Sequence, residues 1–168
     1  MALYLRIMAG LIACSAILPA PAHASQQLAV PAHWPAGEII ISQQARRLYF
    51  TLGNGAALSY PVAVAKPGKE WRGEARIEGK YVNPAWSPPI SVKRDHPELP
   101  DVIPGGSPRN PMGVRALTLD RDEIAIHGTN RPSSIGTAAS YGCIRMNNAD
   151  IVDLFERVRV GSRVVMLP

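Results

Sequence analysis

Two side chains in this sequence have the types and spacing for covalent chemistry. Cys143 lies in "SYGCIRMNNAD" (140–150), after a glycine and two residues before Arg145. A structural thiol normally sits inside an apolar run, whereas this one has a turn-former on one side and a charge on the other. His127 ends the strand-like run "EIAIHGTN", sixteen positions upstream (127 to 143). A thiol is mostly protonated near neutral pH. An imidazole within reach can take its proton and hold the resulting ion pair, which makes a strong nucleophile. Gly142 lets the backbone turn sharply and a substrate come close. No carboxylate presents itself as a third member, so a backbone carbonyl, that of Gly128, is the candidate for orienting the imidazole. Metal chemistry is poorly supported. One cysteine and one well-placed histidine make two ligands, and His23, His33 and His96 fall in other segments. No metal or cofactor is expected.

The elements that must position this pair read as follows. Glu38–Ser42, Arg47–Leu52 and Ala57–Ala65 are strand-like, with Gly53-Asn54-Gly55 as a tight hairpin between the last two. Ala75–Val82, Val114–Leu119, Glu123–His127 and Arg163–Leu167 are further strand candidates, with Asp120-Arg121-Asp122 joining the middle pair. After the cysteine, Ile151, Leu154, Phe155 and Val158 recur at helical spacing. Asn147 or Asn148 is the cap, Asp150 lies in the first turn and Gly161 is the stop. Cys143 thus precedes a helix N-terminus, whose free N–H groups could favour a thiolate and later an oxyanion. Between the strands, Asn83–Gly113 holds eight prolines, which exclude a central strand or a helix. Trp86, Ile90, Val92, Leu99, Val102 and Ile103 are interleaved with them, too much apolar surface for a free linker. The segment reads as an ordered loop packed on the domain, and long ordered loops are usually functional. One good helix among many short strands gives a mostly β domain, a sandwich or barrel with one short helix after the cysteine.

Composition sets the frame around it. Residues 1–24 read as a secretory signal: a basic start ending at Arg6, the short apolar run Ile7–Leu18, then Ala22-His23-Ala24 as a cleavage site. "LIAC" (11–14) also resembles a lipoprotein box, which would lipidate Cys14 and is the one route to a membrane. Residues 25–36 are Pro- and Ala-rich and read as a linker, so the domain is 37–168. With the signal removed, Cys143 is the only cysteine, and an internal disulfide is excluded. A free thiol in an oxidising compartment is a liability, which favours a use for it. The formal net charge of +5 is scattered, and no aromatics alternate with the basic residues as nucleic-acid binding would require.

"IHGTN" followed by "SYGCIRMNNADI…VRVGSRVVML" resembles the signature of the L,D-transpeptidase catalytic domain, the YkuD-type or ErfK-type family. That family's form is a His-Gly-Thr strand end, a loop, then Ser-His-Gly-Cys-x-Arg. "VNPAWSPPISVKRDHPELPDVIPGGSPRNPMGVRAL" is similar to the proline-rich loop of its longer bacterial members, and the likeness covers nearly all of 37–168. The resemblance implies action on peptidoglycan stem peptides. Cys143 would attack the carbonyl of the third-position diamino acid, expel D-alanine and form a thioester. An amine of a second stem or of an envelope protein would then take the acyl group. His127 would serve as base and then acid. The N–H groups of Tyr141, Gly142 and Cys143 are the implied oxyanion hole. Arg145 would grip a substrate carboxylate or pair with an acid such as Asp150. Ser140 would bind substrate backbone or, preferably, hold the turn. The implied compartment is the periplasm. Tyr141 departs from the family, which has histidine there. Two rivals use the same residues differently: a hydrolase or L,D-carboxypeptidase in which water is the acceptor, and a wall-binding module without catalysis. Sortases also combine His, Cys and Arg, but with a longer separation and without the Gly-Cys-x-Arg context.

Overall fold

β-Branched and aromatic residues between glycine turns build the framework of the domain as short strands. The computed structural model describes residues 25–121 and 123–168. The expected signal segment 1–24, Cys14 within it, and Asp122 of the strand-joining turn lie outside the described residues.

Among the described residues the ten strands are β1 (Gln26–Ala29), β2 (Ile39–Ser42), β3 (Arg47–Gly53), β4 (Ala56–Ala65), β5 (Gly73–Val82), β6 (Arg115–Leu119), β7 (Ala125–His127), β8 (Ala138–Ser140), β9 (Ile144–Met146) and β10 (Arg163–Leu167). The hairpin between β3 and β4 turns where the sequence predicts it. Gly53, Asn54 and Gly55 all have positive φ (82°, 51° and 73°), the conformation that glycine and asparagine tolerate. Neighbouring strands follow the order β4-β3-β2-β10-β5-β6-β7-β9, and β9 pairs back onto β4. The sheet therefore closes on itself as a barrel. β4 can close it because it is ten residues long. Residues 56–61 pair with β3, while Val62 and Ala63 pair with Met146 and Arg145 of β9.

The inward faces supply the core: Ile39, Ile41, Leu48, Tyr60, Val62, Ile77, Leu117, Ile126, Ile144 and Met146 are all buried. The predicted helix is α2 (Asn148–Arg157), and its apolar face (Ile151, Leu154, Phe155) joins the same core. Burying such side chains contributes about 1.5–3 kcal/mol each, and this packing rather than helix propensity holds so short a helix.

Two expectations are corrected. The stretch 25–36, read as a linker, contains β1, which lies antiparallel on β4 with Gln26 opposite Ser59 and Ala29 opposite Ala56. Its proline and alanine content masked a short edge strand. The proline-rich segment, read as free of helix, contains α1 (Ile90–Asp95). The six residues fit the proline-free window between Pro89 and Pro97, where no ring blocks the turn. The rest of that segment is an ordered loop. Trp86 and Ile103 exchange backbone hydrogen bonds at 2.8 and 2.9 Å. The buried Asn110 amide donates to the carbonyls of Pro84, Ile103 and Pro104.

Candidate active site

Two adjacent strands carry the candidate pair. β7 and β9 run parallel, with Ile126 opposite Ile144 and His127 opposite Arg145. Side chains alternate along a strand. Ile126, Ile144 and Met146 therefore enter the core, and His127, Arg145 and Cys143, just ahead of β9, share the other face. On a barrel wall that face would meet water. Here the proline-rich segment covers it. Trp86, Pro89, Ser91, Val92, Pro111 and Met112 close over His127, Cys143 and Arg145, leaving a cavity of about 160 Å³. Cys143 also lines a second cavity of about 580 Å³, walled by Glu78, Asp120, Arg121 and Ala125. The half-buried thiol thus lies between two openings, and His127 lines the first of them beside it.

The imidazole is held by main chain. His127 Nδ1 lies 2.7 Å from the carbonyl oxygen of Gly128. A carbonyl only accepts, so Nδ1 carries the hydrogen and the other ring nitrogen keeps its lone pair. Burial, and after it the positive charge of Arg145, pushes the imidazole down from 6.5 to about 4; the carbonyls of Gly128 and Pro111 oppose this. Burial likewise pushes the Cys143 thiol up. The backbone N–H of Ala125 and the Arg145 charge oppose that rise, and Glu123 adds to it. Cys143 Sγ donates to the Glu123 carbonyl at 3.5 Å. Both shifts run against the thiolate–imidazolium pair expected from the sequence. Desolvation disfavours both charged forms, so each shift points toward the neutral form of its group.

Ser140 holds the nucleophile's turn from both sides. Its hydroxyl donates to the Cys143 carbonyl at 2.6 Å and accepts the Gly142 N–H at 3.1 Å. The Gly142 N–H is thereby occupied, which corrects its assignment to the oxyanion hole and leaves Tyr141 and Cys143 as the candidate donors. Gly142 is needed for its backbone, whose φ is +130°; a Cβ there would also lie 2.6 Å from Ile124 Cδ1, the movable end of that side chain. The indole N–H of the buried Trp71 donates to the Gly142 carbonyl at 3.0 Å and pins the turn. No spacing in the sequence pointed to Trp71, whose partner is seventy-one positions away.

Helix α2 does not abut the thiol as the sequence suggested. β9 and Asn147 intervene, and five residue steps at about 3.3 Å each put the helix start roughly 16 Å along the chain from Cys143. Asn147 occupies the N-cap position without a side-chain cap bond. Asn148 instead exchanges hydrogen bonds with the Thr129 backbone, at 3.0 Å to its N–H and 3.1 Å to its carbonyl. This ties the segment after His127 to the start of α2. Arg145 is half-buried and lines the smaller cavity. The Asp150 carboxylate accepts from the Asn147 amide at 3.2 Å. Tyr141 also lines the smaller cavity with Cys143. Its hydroxyl donates to Asp95 Oδ2 on α1 at 2.7 Å, and Lys66 Nζ lies 3.6 Å from the ring centre. Among the described residues no cluster of three or more His, Cys, Asp or Glu side chains could hold a metal ion.

The sequence of residues 36–166 matches the family model described as YkuD, L,D-transpeptidase catalytic domain. The chain is 37% identical over 147 residues to the probable L,D-transpeptidase YbiS of Escherichia coli, across 83% of this chain and 47% of that protein. It is 33% identical over 147 residues to the putative L,D-transpeptidase YqjB of Bacillus subtilis, across 79% and 77% respectively. The chain therefore spans about half the length of the Escherichia coli relative. Among solved structures it is similar to the catalytic domain from Enterococcus faecium L,D-transpeptidase acylated by ertapenem, with a TM-score of 0.60 and 17% identity over 80% of this chain and 99% of that one. L,D-transpeptidase 3 from Mycobacterium tuberculosis gives a TM-score of 0.62 at 13% identity, over 80% of this chain and 62% of that one. At these identities the likeness is one of fold.

Proposed function

The chain belongs to the L,D-transpeptidase catalytic domain family, and on that premise we propose that it is a cysteine acyltransferase acting on peptidoglycan stem peptides. One observation carries the reading: Cys143 and a carbonyl-oriented His127 line the same cavity from adjacent strands, beneath an ordered cover.

The donor is a stem tetrapeptide. Cys143 attacks the carbonyl of its third-position diamino acid as the unprotonated nitrogen of His127 takes the thiol proton. A carbon–sulfur bond forms, and the negative charge on the carbonyl oxygen falls to the N–H groups of Tyr141 and Cys143. His127 then returns the proton to the departing amine of D-alanine as the carbon–nitrogen bond breaks. An acceptor amine attacks the thioester, gives its proton to His127 and releases the thiol. The low basicity of the buried imidazole suits it to the return step. The transferred proton sits unfavourably on the ring and is readily given up. Arg145 offers a guanidinium to a substrate carboxylate in the smaller cavity. No cofactor is required by this chemistry. Action on peptidoglycan goes with export to the periplasm by the segment 1–24. The acceptor amine belongs to a second stem or to an envelope protein.

The second opening at Cys143 supports a rival outcome, because it gives water as well as an amine a route to the thioester. Two measurements test the reading. Incubation with a carbapenem should add one covalent mass increment at Cys143, absent in Cys143→Ala. Incubation with a tetrapeptide muropeptide should then give a cross-linked dimer. Loss of D-alanine without dimer would make the protein a carboxypeptidase. A folded protein that forms no adduct would be a wall-binding module.

A further inference from the structure

The residue that departs from the family, Tyr141, is placed where it can govern the cover over the nucleophile. Helix α1 forms one wall of the smaller cavity through Ser91 and Val92, yet none of its six residues is buried. Its own contacts are nearly all local. Lys93 bonds to the Leu99 carbonyl and to Asp101, and Arg94 pairs with the adjacent Asp95. Among the described residues, the hydrogen bonds and ion pairs from α1 to anything beyond the proline-rich segment converge on Asp95. They come from the Tyr141 hydroxyl at 2.7 Å and from Lys66 Nζ at 3.9 Å. Lys66 also lies over the Tyr141 ring, 3.6 Å from its centre. Three elements meet at this point: the end of β4, the turn that carries the nucleophile, and the helix that walls the cavity.

We propose that Asp95, Tyr141 and Lys66 form a latch, a set of positioning residues that holds α1 closed over Cys143 and so sets donor affinity. A helix without buried side chains has little packing of its own to keep it in place, so a charge-assisted hydrogen bond is a large part of what it has. Tyr141 is two residues from Cys143, so the same side chain links the position of the wall to that of the nucleophile. Histidine, shorter than tyrosine, would end before reaching Asp95 from the same backbone. The wall and the tyrosine therefore belong together. The part of the proposal that concerns donor affinity rests on the acyltransferase reading; the mechanical part does not.

The test has two arms on the full chain. Hydrogen exchange is followed at the amides of Val92, Lys93 and His96, which are bonded within α1 and its ends. Losing one exposed charge-assisted bond should speed their exchange about five- to tenfold in Asp95→Ala. Tyr141→Phe should do the same, and the double variant no more than either single one. Barrel amides such as that of Ile77 should keep their rates. In the second arm, Asp95→Ala should raise KM for the tetrapeptide donor by about the same factor while kcat stays within about twofold. Unchanged α1 exchange, or additive effects in the double variant, would overturn the latch. Faster exchange with KM unchanged would overturn its role in donor affinity. The exchange arm needs no turnover, so its result stands apart from whether the protein is an acyltransferase.

Discussion

Acidification from pH 7 to pH 4 should cost this fold about 3 kcal/mol through one side chain. His127 is 4% exposed, and its imidazole is held down at about 4 from an ordinary 6.5. A group whose folded value lies below its unfolded value stabilises the fold fully above the unfolded value and loses that contribution as pH falls through the window between the two. Here the window runs from 6.5 down to about 4. Each unit of difference corresponds to about 1.4 kcal/mol, and half protonation at the lower end trims the total to about 3 kcal/mol. Urea unfolding followed by tryptophan fluorescence at pH 7 and pH 4 measures the loss, in the natural protein and in His127→Gln. Carboxylates held in hydrogen bonds and ion pairs, such as Asp150 and Glu38, contribute acid sensitivity to both, so the informative quantity is the difference between the two losses. The variant should lose about 3 kcal/mol less than the natural protein over the same interval. Equal losses would refute the reasoning, and with it the claim that the resting imidazole is neutral because it is desolvated.

The thiol gives a companion prediction. Burial pushes the Cys143 thiol up, so the ultraviolet absorbance of a thiolate near 240 nm, taken as the difference between the protein and Cys143→Ala, should be absent at pH 7. It should rise only on the alkaline side of an ordinary cysteine. Gly142→Ala should lose about 1–2 kcal/mol of stability from its left-handed backbone alone, read as a lower urea midpoint, and acylate more slowly. Adding Ile124→Ala should relieve the contact with the new methyl group but not the backbone cost.

Much of the barrel was legible because its signals are local. The β3–β4 hairpin is written in Gly53-Asn54-Gly55, and the face of α2 in Ile151, Leu154 and Phe155. Cys143 and His127 stood out by type and context, which needs no knowledge of packing. What escaped the sequence is what depends on distant partners. β8 and β9 are three residues each, too short for alternation to register, and they exist because β4 is there to pair with them. Without β9, the helix appeared to follow the cysteine directly. The ion pair was expected from the nearness of a thiol and an imidazole alone, whereas the burial that disfavours both charges comes from a cover, Pro111 and Met112 among it, that no local pattern shows. Ser140 was read as holding the turn, but its capture of the Gly142 N–H depends on hydroxyl orientation that no pattern encodes. Trp71 and Asp95 belong to the site only through contacts formed across the fold.

The closing strand has a consequence for assembly. Val62 of β4 lies against Met146, and Val64 against Ala138, so the chain on both sides of the reactive sulfur is aligned by a segment made far earlier in synthesis. Contacts between such remote stretches carry a large entropic cost and consolidate late. Until the last third of the polypeptide has docked, the cysteine is an ordinary side chain on an unanchored loop. Its competence for acyl transfer thus depends on completion of the whole ring, and a partial or misassembled molecule would carry only an ordinary, solvated thiol.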